Sequence, residues 1–139
     1  MNYSDLPEVR ILCAELGYQV EEKELVDRYN RIRNSKNHEL FVAEADNSIV
    51  IGWTHIFQRS PHLCSAPKSE LGGLIVSENY RGKGVGKLLL QQAETWSLKN
   101  ELGELVLTSN AKRELAHKFY INLGYKIRKT SYWIGKELV

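Results

Sequence analysis

A chain of 139 residues with 42% hydrophobic and 26% charged residues is sized and composed as one ordinary globular domain. Two cysteines, Cys13 and Cys64, are too few for a disulfide framework or a four-cysteine zinc site, and no apolar run approaches the ~18–20 residues that cross a bilayer. The net charge of +2 makes no case for nucleic acid, yet it divides unevenly: residues 1–60 carry seven Lys/Arg against ten Asp/Glu (−3), and residues 61–139 twelve against seven (+5).

The opening MNYSDLPEVR has no basic region followed by an apolar stretch, so no secretory signal and a cytoplasmic, reduced protein are expected. Asp5, Pro7 and Glu8 read as a helix start. Val9, Leu12, Cys13 and Leu16 follow at helical spacing, and Gly17 is a natural stop. A second helix is predicted from Glu21 to about Asn34, with Leu25, Tyr29 and Ile32 on its apolar stripe and its many charges in water.

Glu39 to Ala45 and Ile49 to Phe57 read as a hairpin around Asp46-Asn47-Ser48. A loop from Ser60 to Pro67 leads to a third strand, Leu71 to Val76. Val85, Leu88, Leu89, Ala93 and Trp96 share one face of a helix running to about Lys99. Leu105 to Thr108 is nearly all apolar, as a buried strand would be. Lys112 to Leu123 is helical, with Leu115, Phe119 and Leu123 inward, and Tyr125 to Glu137 is expected to hold one or two short strands. The order is that of a single mixed α/β domain over residues 1–139.

Chemistry concentrates between the third strand and the helix after it. In Val76-Ser77-Glu78-Asn79-Tyr80-Arg81-Gly82-Lys83-Gly84-Val85-Gly86-Lys87 the glycines permit a tight turn and keep side chains out of a ligand's way. Backbone N–H groups at the start of a helix favour a phosphate, and Arg81, Lys83 and Lys87 add full charges. The P-loop pattern fails, since Gly82 and Gly86 are four apart and Leu88 stands where the hydroxyl belongs. The dinucleotide pattern GxGxxG fails too, with Leu89 in place of its third glycine.

Arg81-Gly82-Lys83-Gly84-Val85-Gly86 resembles the Arg/Gln-x-x-Gly-x-Gly/Ala turn with which the GCN5-related N-acetyltransferase (GNAT) superfamily binds the pyrophosphate of acetyl-coenzyme A (acetyl-CoA). The likeness continues in Leu107-Thr108-Ser109-Asn110 and in Arg113-x-x-Ala116-x-x-Phe119-Tyr120-x-x-Leu123-Gly124-Tyr125, and spans about residues 5–133. It implies a mixed, largely antiparallel twisted sheet flanked by helices, with splayed central parallel strands. Only Met1-Asn2-Tyr3 precede Ser4, so the usual first edge strand is missing, or another segment or partner covers that edge.

By the same resemblance, Leu74, Ile75 and Val76 offer backbone groups to the pantetheine arm, and Arg81, Gly82, Lys83, Gly84, Val85, Gly86 and Lys87 hold the pyrophosphate. An N–H near Val76 meets the oxyanion, and Phe119 contacts the cofactor. Asn110 either contacts the cofactor arm or caps the helix that follows it. Tyr120 corresponds to the general acid that protonates the departing thiolate. Glu70 is the candidate base, with a chain of waters as the alternative; some relatives carry an acid where this chain has Gly72. His38, His55, His62 and His117 have no metal-ligand spacing, so no metal is expected, and His55 is a candidate substrate contact. Cys64 has no base beside it and is not expected to be a nucleophile.

The expected activity is acetyl transfer from acetyl-CoA to a primary amine of a small cationic molecule. The alternatives are a transferase for lysines or N-termini of peptides and proteins, and an acyl-CoA-binding or assembly module without catalysis. No membrane or nucleic-acid partner is expected. A homodimer is, because Lys129 to Leu138 mixes apolar and polar residues near a sheet edge.

Overall fold

Helix α1 (Leu6–Glu15) starts at Asp5 with Pro7 in its first turn, as the sequence predicts, in a computed structural model that describes residues 1–139. It ends as Gly17 enters the left-handed region at φ +85, where only glycine sits without strain. The Gly17 and Tyr18 N–H groups then bond back to the Ala14 and Cys13 carbonyls at 2.9 and 3.0 Å, satisfying two of the orphan acceptors of the last turn. Leu6, Val9, Leu12 and Cys13 are buried, whereas Leu16, expected on the same stripe, lies outside the helix and is exposed. Helix α2 (Glu22–Arg33) keeps Leu25, Tyr29 and Ile32 only half-buried, so its charged face is wet.

The chain forms two compact units, Met1–Leu107 and Thr108–Val139. In the first, strands β1 (His38–Glu44), β2 (Val50–Arg59), β3 (Lys68–Val76) and β4 (Leu105–Val106) form one sheet in that order. The first two pairings are antiparallel and β3–β4 is parallel. β3 begins three residues earlier than expected, at Lys68, and β4 is two residues long rather than four. Only Ser69–Leu105 and Glu70–Val106 pair across the parallel junction, so the side of β3 facing β4 is unpaired from Leu71 onward. That early separation is the splay the sequence reading anticipates. No strand precedes α1; Met1 donates its ammonium to the Leu40 carbonyl at 3.1 Å, and β1 is the edge.

Alternation along β2 sends adjacent residues to opposite faces. Trp53 packs on the cluster of Val9, Leu12, Cys13, Val50 and Ile75 beneath α1. Gly52 faces helix α3 (Val85–Lys99), and a Cβ on it would sit 2.9 Å from the Ile75 carbonyl oxygen and 3.1 Å from Leu89 Cδ1. The inward face of α3 is Leu89, Leu90, Ala93 and Ser97; Leu88, expected inward, is exposed. α3 closes with Glu101 at φ +59, bonded to the Leu98 carbonyl at 3.1 Å, while Leu102 bonds to Ser97 at 2.9 Å. A glutamate takes there the place glycine takes after α1.

The second unit holds one helix, α4 (Glu114–Asn122), two residues shorter at its start than predicted. Its C-terminus repeats that of α1: Gly124 at φ +93, with Gly124 and Tyr125 bonded back to Ile121 and Tyr120. Ala116, Phe119, Tyr120 and Leu123 are half-buried, and Leu115, expected inward, is exposed. The strands expected between Tyr125 and Glu137 do not form. The stretch joins no ladder, and without ladder bonds its backbone is not held extended as a strand. No helix of the chain is long and apolar enough to cross a membrane.

Candidate active site

β3 delivers the chain to the glycine turn through Ser77, whose N–H bonds to the Ile51 carbonyl at 2.8 Å, and a single helical turn, Glu78–Tyr80. Arg81 through Gly84 then reverse direction, with Gly82 at φ +73 and Gly84 at φ +86. Both conformations are costly for any residue with a Cβ. No atom lies within 4 Å of where either Cβ would stand, so the conformation calls for glycine and the space above it stays open.

Gly84 is the N-cap of α3 and brings no side-chain oxygen to the first-turn N–H groups. The first turn holds no acid to offset the positive helix end, and Lys87 lies within it. Lys83 places its ammonium 5.3 Å from the centre of the Tyr80 ring, and Arg81 donates through Nε to the Val76 carbonyl at 3.1 Å. The structure therefore joins Val76 to the Arg81–Lys87 turn. Uncapped N–H groups, three cations and open space fit the diphosphate of acetyl-CoA. Ile75 belongs to the core through its side chain, which leaves only its backbone for a ligand.

Glu70 lies at the opposite end of β3, as its third residue, opposite Phe57 on β2 and Val106 on β4. Its largely buried carboxylate forms an ion pair with Arg59 Nη1 at 3.1 Å. Glu70, one residue ahead of the strand predicted from Leu71, thus lies inside it, and its carboxylate has a cation for a partner.

In the second unit, Asn110 Oδ1 accepts the Lys112 N–H at 2.9 Å, while its carbonyl accepts from Arg113 at 3.0 Å. Asn110 shapes the turn before α4, whose N-cap is Arg113. Phe119 and Tyr120 meet edge-on at 5.1 Å between ring centres, and Tyr120 meets Tyr125 at 5.8 Å. Burial pushes the Tyr120 phenol above its usual pKa of 10, with Arg113 opposing, so it keeps its proton at neutral pH.

A pair of histidines stands out that spacing alone did not join. His38 Nδ1 and His55 Nε2 are 2.9 Å apart, and both rings lie against Phe57. Burial, then the neighbouring His38, lowers the His55 pKa from 6.5 to about 4. Above pH 6.5 the ring is neutral in both folded and unfolded chains. Between pH 6.5 and 4 the unfolded chain takes a proton that folded His55 refuses, so stability falls through that window and levels off below it. The whole shift corresponds to ~3 kcal/mol, which solvent screening at this half-exposed site reduces to about 1–2 kcal/mol. Urea unfolding between pH 4 and 7 should show that loss, and a His55→Gln variant should flatten it.

The model of the acetyltransferase (GNAT) family matches residues 6–125. The chain is 39% identical over 57 residues to the N-acetylaspartate synthetase of Xenopus tropicalis, covering 41% of this chain and 21% of that protein. It is 38% identical over 58 residues to the N-acetyltransferase YhdJ of Bacillus subtilis (strain 168), covering 41% of each. The matched stretches thus span less than half of either relative. Among solved structures, the aminoglycoside 6'-N-acetyltransferase AAC(6')-Ig of Acinetobacter haemolyticus superposes with a TM-score of 0.86 at 18% identity, covering 100% of this chain and 97% of that one. AAC(6')-Iy bound to a bisubstrate analogue of coenzyme A and acetylneamine gives 0.88 at 21% identity, covering 99% and 95%. Those likenesses fix the fold, and the match over residues 6–125 fixes the lineage: the chain belongs to the acetyltransferase (GNAT) family.

Proposed function

We propose that the chain transfers the acetyl group of acetyl-CoA to a primary amine of a small cationic molecule, residues 1–139 working as one domain. The observation that carries this reading is the uncapped N-terminus of α3, with Gly82 and Gly84 held open and Arg81, Lys83 and Lys87 around it. The amides from Arg81 to Gly86 bind the diphosphate, and Leu74 to Val76 offer backbone groups to the pantetheine arm. The free amine attacks the thioester carbonyl, a C–N bond forms and the C–S bond breaks. Tyr120 gives its proton to the thiolate and regains one from the attacking nitrogen, which leaves as a neutral amide, and Asn110 and Phe119 border the arm.

The excess of acid in residues 1–60 and the aminoglycoside-modifying structures of the same fold support a cationic acceptor. The test is release of the coenzyme A thiol with acetyl-CoA and a panel of polyamines, aminoglycosides, amino acids and short peptides. Turnover with spermidine or neamine is the expected result. Turnover with peptides alone would transfer the reading to protein acetylation, and acetyl-CoA failing even to stabilise the fold would end it.

We propose further that a second copy covers the C-terminal stretch. Ile127, Tyr132, Trp133, Ile134, Leu138 and Val139 are all exposed within thirteen residues, more apolar surface than one short segment leaves in water. Sedimentation should give a dimer, and a Trp133→Ser/Ile134→Ser double variant a monomer.

A further inference from the structure

We propose that His55 is the base that takes the acceptor's proton and that His38 hands a proton on to water, an assignment that rests on the transferase reading above. His55 stands on β2 opposite Gly73, where the ladder slips by one residue and leaves Gly72 unpaired. Its Nε2 is 2.9 Å from His38 Nδ1, on the first residue of the edge strand β1. Its Nδ1 faces Gly72: a Cβ there would stand 2.9 Å from that nitrogen and 3.2 Å from Phe57 Cε1. Gly72 is exposed, so one His55 nitrogen is tied to a second histidine and the other borders space that only glycine leaves vacant.

The charged residues nearest the pair in the strand ladders are themselves paired. Arg59 on β2 and Glu70 on β3 neutralise each other at 3.1 Å, and Arg33 on α2 holds Glu39 at 2.8 Å. No group of three or more His, Cys, Asp or Glu side chains is arranged to hold a metal, so the pair is not part of such a cluster. Two stacked imidazoles joined nitrogen to nitrogen can pass a proton from one ring to the other.

An alkylammonium acceptor carries three protons on nitrogen. One remains on the product amide, one ends on the coenzyme A sulfur, and one must leave for solvent. That third proton passes to His55 Nδ1 as the Nε2 proton passes to His38 Nδ1 and the His38 Nε2 proton passes to water. His55, neutral at pH 7 because burial and His38 lower its pKa to about 4, would be a poor base alone. In the pair it never holds a full charge, because a proton leaves one nitrogen as another arrives.

The experiment is the pH profile of kcat/KM for spermidine and neamine in the wild type, His55→Gln and Gly72→Ala. The alanine variant keeps both histidines and crowds Nδ1 from an exposed position, which guards against a folding defect in the first. With the relay working, the acid limb of the wild type lies well below the amine's own pKa. In both variants it should move up to the amine's own pKa, with at least a 50-fold loss at pH 7, recovery above pH 9, and unchanged acetyl-CoA affinity. Wild-type turnover with a limb that neither variant moves would overturn the relay and leave the transferase standing. Turnover by no protein on any amine would overturn both.

Discussion

Gly84→Ala should weaken acetyl-CoA binding ten- to hundredfold, and Gly17→Ala should leave it unchanged. The two glycines are matched in backbone: φ is +86 at Gly84 and +85 at Gly17, and neither Cβ position has an atom within 4 Å. Alanine therefore costs about 1–2 kcal/mol of backbone strain at either site. The difference is what lies above them. Gly17 follows a helix C-terminus, where two carbonyls are already satisfied. Gly84 precedes a helix N-terminus with no side-chain cap and no acid in its first turn.

A methyl group at position 84, or a turn relaxed to accommodate it, costs one or two N–H bonds to a diphosphate. Charge-assisted bonds of that kind are worth about 1.5–3 kcal/mol. Thermal unfolding of the two variants should give equal losses in Tm, and titration with acetyl-CoA should separate them. Equal affinities in both would remove the turn from the cofactor's site.

The glycine turn was legible because its signal is local: two left-handed glycines and three cations within seven residues need no tertiary partner. The two Leu-Gly-Tyr helix ends were legible for the same reason. What escaped depends on partners far along the chain. Whether Leu88 or Leu90 faces inward on α3 is decided by the sheet face below it, where Gly52 admits Leu89. Glu101 in the left-handed conformation carries no compositional mark at all. The histidine pair is an intermediate case, since the predicted hairpin already implies that a residue near 38 meets one near 55. The bulge at Gly72, which turns that proximity into an open nitrogen, appears only in the ladder between β2 and β3.

Tyr120→Phe should lower kcat about 100-fold with acetyl-CoA affinity intact. General acids contribute roughly 10²- to 10⁴-fold, and a thiolate, whose conjugate acid has a pKa of about 8.5, leaves well enough unaided to place this case at the lower end. The phenol is suited to the task because burial raises its pKa, so it is protonated throughout the neutral range. The wild-type profile should accordingly fall only above about pH 10, and the variant should lack that limb. Its hydroxyl is the sole difference between the two side chains, and the edge-on contacts to Phe119 and Tyr125 survive in phenylalanine. Stability should thus be nearly unchanged, so that a fall in kcat reports the missing proton and not lost packing. A variant with full kcat would make Tyr120 a core aromatic and transfer the thiolate's proton to water.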